Sequence, residues 1–162
     1  MRKLLLSIAL VFVVSLAIFY VPAFFSKPSV DNKNQPQTTI LQLGDVKLSV
    51  ELAQTPDQIT KGLSGREQLP QEGLLFVLPQ RVQPAFWMKE MKFGLDFVWI
   101  DGDSVVDITH DVPAPSPETP LNELILYRPK QPVTHVLEIG VGSAREKGIQ
   151  IGDKVTYLKR AN

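Results

Sequence analysis

From residue 39 onward the apolar residues recur mostly at every second position, the spacing of strands that turn one face to a core. Residues 39–42 and 46–52 are two such runs, and the Gly44-Asp45 pair between them predicts a hairpin. A short helix follows. Thr55 stands at its cap, Pro56 takes the first helical position, where a missing N–H costs nothing, and Gln58 lies three residues after the cap. Gly62 and Gly65 end it early. Residues 73–78 predict an apolar strand, residues 85–91 and 95–101 two more, and Asp101-Gly102-Asp103 a turn into a strand over 104–111. Pro113, Pro115, Pro117 and Pro120 forbid helix and central strand alike, so an extended surface loop is expected there. Residues 133–141 predict a strand, 143–147 a helical turn stopped by Gly148, and 154–159 the last strand.

Many short strands with one or two brief helices predict a mostly β (β-rich α+β) fold, a compact barrel-like or sandwich domain, preceded by an N-terminal hydrophobic helix. The strand over 95–101 is apolar on both faces, Leu95, Phe97 and Trp99 on one, Val98 and Ile100 beside Asp96 on the other. It must therefore be central, or covered by the helix and loops.

The N-terminal pattern is different. Arg2 and Lys3 precede 22 uncharged residues, 4–25, long enough to cross a ~30 Å hydrocarbon core as a helix. Residues 1–25 are expected to be a transmembrane anchor or signal segment. The apolar run exceeds that of a usual signal peptide, and Val21-Pro22-Ala23 is a mediocre cleavage site, which favours an uncleaved anchor. Lys27 and Lys33 beyond the span nearly balance Arg2 and Lys3, so charge barely orients it. The expected address is the cell membrane, single-pass, with the domain outside the cytoplasm; the alternative is a secreted or periplasmic protein after cleavage. Residues 26–38, polar and carrying two prolines, predict a tether, and 39–160 a single β-rich globular domain.

Charge and cysteine narrow the function. Residues 1–38 sum to +3, which leaves the remainder with 13 basic and 16 acidic groups. That excess argues against nucleic acid as a partner, because phosphate neutralisation needs a basic surface. The absence of cysteine from the sequence excludes disulfides, thiolate metal sites and a cysteine nucleophile.

Six short motifs occur in order: Gly62-Leu63-Ser64-Gly65-Arg66, Gly73-Leu74-Leu75-Phe76, Phe86-Trp87-Met88-Lys89, Leu95-Asp96 with Ile100-Asp101, Val136-Leu137-Glu138, and Gly148 with Gly152-Asp153. Over about residues 46–158 this series resembles the uncharacterised prokaryotic family called domain of unknown function 192. The resemblance implies a small β-rich, barrel-like domain, often behind an export signal or membrane segment. It implies no reaction. The chain departs from the family pattern at Glu90-Met91, where Asn-Thr is usual, and at Gly94, where proline is common.

The charged members of these motifs are Arg66, Lys89, Asp96 and Glu138. Together with Trp87 they form the candidate ligand-binding set, the two cations contacting an anionic group and a carboxylate serving as acceptor or base. The alternative is architectural, a half-buried Asp96 paired with Arg66 or Lys89. His110 and His135 fall on apolar faces, and Asp107 and Asp111 point opposite to His110 on its strand, so no metal is expected. Ser64 sits in a Gly-rich pentapeptide but lacks the strand-to-helix setting of a nucleophile elbow. Trp87, Trp99, Phe76, Phe86 and Phe97 are expected in the core, with Trp87 the best candidate for a stacking surface. No cofactor is implied. The function expected is a membrane-tethered extracytoplasmic binding or accessory module, anchored through residues 4–25 and binding a small ligand, envelope component or protein. The alternative is a small cell-envelope enzyme using Asp96 or Glu138 as acid or base, with Arg66 or Lys89 stabilising an anion.

Overall fold

The computed structural model describes residues 36–158. Seven strands form one sheet: β1 (Thr38–Leu43), β2 (Val46–Ala53), β3 (Leu74–Val82), β4 (Leu95–Asp101), β5 (Ser104–Val112), β6 (Val133–Gly140) and β7 (Val155–Leu158), in the order β5-β4-β6-β3-β2-β1-β7. Neighbours are antiparallel except β2 and β3, which run parallel and are joined through the helix α1 (Pro56–Lys61). A second short helix, α2 (Ser143–Glu146), follows β6. The sheet curls into a half-barrel. Its two ends come together where Val105 N–H donates to the Asp153 carbonyl at 3.0 Å and Val155 N–H donates to the Asp103 carbonyl at 2.8 Å.

Local chemistry accounts for these elements. Gly44 takes φ +54° in the β1–β2 turn. Thr55 accepts from Gln58 N–H while the Gln58 side chain accepts from Thr55 N–H, the reciprocal cap that the sequence predicts. The helix stops at Gly62, whose φ of +49° disfavours any other residue.

The curled sheet carries a core on each face, which explains why β4 is apolar on both. Val98 and Ile100 join Leu41, Leu48, Leu137 and Ile139 on one face. Leu95, Phe97 and Trp99 join Phe76, Met88, Val133 and Val136 on the other, with Ile59 of α1 and Phe86 packed against them. The second core is thus roofed by the helix and by the segment that follows β3.

Two expectations need correction. Residues 85–91 are not a strand: only Phe86 bridges to Tyr127, through paired bonds of 2.9 and 2.8 Å. The segment begins after Pro84 and turns at Glu90, whose φ is +57°, so it cannot continue as a ladder. It instead drops Met88 and Met91 into the second core. β3 also runs past Leu78 to Val82 through Pro79, with its register to β6 shifting between Val77 and Val82. Such an irregularity is where a strand tolerates proline. The expected N-terminal helix at residues 1–25 and all but the last three residues of the expected tether at 26–38 lie outside the described residues, and Thr38 already belongs to β1; among the residues described, no helix is long and apolar enough to cross a membrane.

Candidate functional site

On the roofed face, α1 and its following turn stand apart from residues 84–91 and leave a cavity of about 320 Å3. Its walls are Ile59, Gly62, Leu63, Phe76, Phe86 and Trp87, closed further by Leu78, Pro84 and Met91, with Glu138 of β6 in the lining. The size and apolar character suit a small organic molecule. Phe86 anchors one wall: its ring meets Phe76 edge-on at 4.9 Å and Trp99 edge-on at 5.7 Å. Trp87, next along the chain, is 46% exposed and stands in the rim. The aromatic expectations therefore divide: Phe76, Phe97 and Trp99 are core, Phe86 is partly buried, and Trp87 is a surface residue of the cavity.

Two of the short motifs are stitched together here. Ser64 Oγ donates to the Lys89 carbonyl at 2.9 Å, and Gly65 N–H donates to the Glu90 carbonyl at 3.0 Å. Ser64 thus clamps the helix turn to the aromatic segment, a role that needs no activating base. On the other side of the site, a Cβ at Gly73 would meet the Glu138 carbonyl oxygen at 2.6 Å. Only glycine lets the loop before β3 lie that close to β6.

Glu138 is 5% exposed, and its Oε2 has no hydrogen-bond partner among the described residues. Burial pushes its carboxyl up to about 8, against a smaller downward pull from the nearby Arg66. Arg66 does not close on it. The two terminal nitrogens of Arg66, Nη1 and Nη2, donate to Glu51 at 2.9 and 2.7 Å, and this bidentate bond raises the Arg66 pKa. Ionised, the three groups Glu51, Arg66 and Glu138 would carry a net −1; with Glu138 protonated the cluster is neutral.

The five sequence candidates do not converge on one point. Trp87 and Glu138 line the cavity, and Arg66 reaches Glu138 only through its field. The Lys89 side chain lies in a separate depression with Pro115, Pro117 and Leu121, its Nζ 3.6 Å from Glu90 Oε1. Asp96 is fully buried on the opposite face of the sheet, and its partners are neither Arg66 nor Lys89. Oδ1 accepts from Asp111 N–H at 2.8 Å and Gly142 N–H at 3.1 Å, while Oδ2 accepts from Ala144 N–H at 2.9 Å. Asp96 thereby caps α2 and pins the end of β5, a structural task.

The sequence reading missed Glu51, whose signal was an acid sharing a strand face with Ala53, a member of the second core. Tyr127, between the proline loop and β6, packs its ring on Phe97 at 5.6 Å. Asp107, expected beside a conceivable metal position, bonds Lys130 through both N–H and Nζ. Among the described residues no three His, Asp or Glu side chains are grouped as a metal would require.

The family model described as an uncharacterized ACR, domain of unknown function 192, matches residues 39–157. The chain belongs to this family. No curated protein matches it significantly. Two solved structures share the fold of this family member. One, from Sinorhizobium meliloti 1021, is provisionally described as a transcription regulator; it is 25% identical with a TM-score of 0.66, over 76% of this chain and 95% of that one. The other, from Novosphingobium aromaticivorans DSM 12444, is described as of unknown function; it is 27% identical with a TM-score of 0.65, over 77% of this chain and 89% of that one.

Proposed function

We propose that this domain is a non-catalytic module that binds a small, largely apolar molecule in the cavity between α1 and residues 84–91, held at the outer face of the cell membrane by residues 4–25. The observation that carries the binding role is Glu138, a buried carboxyl in the lining of a cavity whose other walls are mainly aliphatic and aromatic, with one oxygen that no described residue bonds. A buried polar atom without a partner is costly, and a site that keeps one expects it to be met from outside. Support for the membrane tether is the uncharged run over residues 4–25. The acidic excess of residues 39–162, 16 groups against 13 basic, argues against the nucleic-acid role that the provisional description of the Sinorhizobium chain would suggest.

One observation favours the enzymatic alternative: a carboxyl held protonated near neutrality in an open cleft is what a general acid requires. Binding is the better reading, because the groups that would assist Glu138 are committed elsewhere. Asp96 serves backbone amides, Arg66 serves Glu51 and Ser64 Oγ serves the Lys89 carbonyl.

The test is a thermal-shift series on the full-length chain with neutral and charged aromatic compounds of indole size, run beside Trp87→Ala. A rise in Tm for the parent that the variant loses supports the cavity as the site. If no compound of any charge raises the Tm, the binding reading fails.

A further inference from the structure

We infer that the molecule this cavity takes is an organic ammonium ion, its apolar body against Phe76, Phe86 and Trp87 and its nitrogen paired with the Glu138 carboxylate. This rests on the binding role proposed above and names the chemical class that fills it.

Charge points to the class of ligand. An ionised Glu138 beside the closed Glu51–Arg66 pair leaves one negative charge without a hydrogen-bonded counterpart. Arg66 turns two of its N–H donors to the two Glu51 oxygens and makes no hydrogen bond to Glu138 Oε2, so it acts on that oxygen through its field alone. Arg66 is the cation whose field reaches Glu138, Glu51 is paired to Arg66, and Lys61, the exposed last residue of α1, shares the cavity lining. A ligand carrying a single positive charge completes the set.

The walls agree with that sign. Phe76, Phe86 and Trp87 line the cavity, and the faces of aromatic rings attract a cation. A carboxylate ligand would face Glu138, with Arg66 already closed on Glu51 and Lys61, the cation of the described lining, exposed at the end of α1. A neutral alcohol could bond the protonated carboxyl but would forgo both the charge pairing and the attraction of the rings. An ammonium N–H donor reaching Oε2 satisfies the atom that the protein leaves bare.

The exchange is one of charge for charge. In the free protein the carboxyl carries a proton; the incoming R–NH3+ takes its place and the proton leaves to solvent. Binding below the carboxyl's raised pKa of about 8 therefore releases close to one proton per ligand, and the number falls toward zero above it.

The experiment compares three probes of one shape, 2-phenylethylamine, 2-phenylethanol and phenylacetate, against the full-length chain by calorimetry at pH 7 in buffers of different ionisation enthalpy. The expected result is binding of the amine at least tenfold tighter than the alcohol, little or none of the acid, and proton release near one. Glu138→Gln should abolish the preference for the amine while the alcohol still binds. The proton count in the parent needs no variant, so a misfolded Glu138→Gln would not remove the test. Equal binding of amine and alcohol, or a preference for the acid, would overturn the ammonium inference and leave the cavity as a binding site. Failure of all three probes would overturn both.

Discussion

Asp96 and Glu138 sit on adjacent antiparallel strands, one position apart in register, and both are buried, yet the fold treats them in opposite ways. Asp96 faces the first core and receives N–H groups from Asp111, Gly142 and Ala144. Glu138, paired across from Phe97, faces the second core and is left with a bare oxygen beside an occupied guanidinium. A buried carboxylate is tolerable only when its oxygens are bonded. Asp96 shows that this backbone can supply such donors where architecture is the aim. No described donor reaches Glu138 Oε2, in a residue of the cavity lining: Asp96 holds loops together, and Glu138, on the function proposed above, is the acid left for a ligand.

The sharpest way to break the comparison is to remove the structural acid. Asp96→Ala should cost about 3–5 kcal/mol in urea unfolding, since the amides of α2 and of Asp111 lose their acceptor. A loss below about 1 kcal/mol would put Asp96 outside the architecture. The next effect is pH-dependent and belongs to Glu138. Its folded pKa, near 8, lies above the ordinary 4.5, so its contribution to stability is full below about pH 4.5 and is lost progressively as the pH rises through about 8. The parent should weaken across that window by on the order of 1 kcal/mol per pH unit, a slope that Glu138→Gln lacks. Arg66→Met should cost about 1–3 kcal/mol by stranding Glu51, and by withdrawing its field should move the Glu138 titration still higher. Trp87→Ala should cost only about 1 kcal/mol, because the ring is half exposed, while weakening amine binding at least tenfold. Smallest of all, Lys89→Ala should change stability by less than about 0.5 kcal/mol and leave binding untouched, its side chain lying in the proline-loop depression.

Much of the fold was legible because it rests on local signals. The Thr55–Gln58 cap, the Gly44-Asp45 turn, the bounds of β4 and its two apolar faces could all be read from spacing. Residues 85–91 misled because Phe86, Met88 and their neighbours alternate like a strand, whereas the left-handed turn at Glu90 and the bridge to Tyr127 are set by tertiary packing. The candidate set was read unevenly for a similar reason. Sequence marks Arg66, Lys89, Asp96 and Glu138 as charges in motifs, but only pairing across the sheet decides that Arg66 meets Glu51 and Asp96 meets amides. Those partners lie 15 or more positions away in the chain. The departure at Glu90-Met91 proves to touch the cavity, because Met91 belongs to its lining.

The account turns on the state of one carboxyl, so the most direct measurement is a carbon-13 NMR titration of the Glu138 side-chain carboxyl in the full-length chain, assigned with Glu138→Gln. A midpoint near 8 that moves down on adding 2-phenylethylamine is the result the account predicts. A midpoint in the ordinary carboxylate range, indifferent to the amine, would contradict it and make Glu138 another structural acid like Asp96.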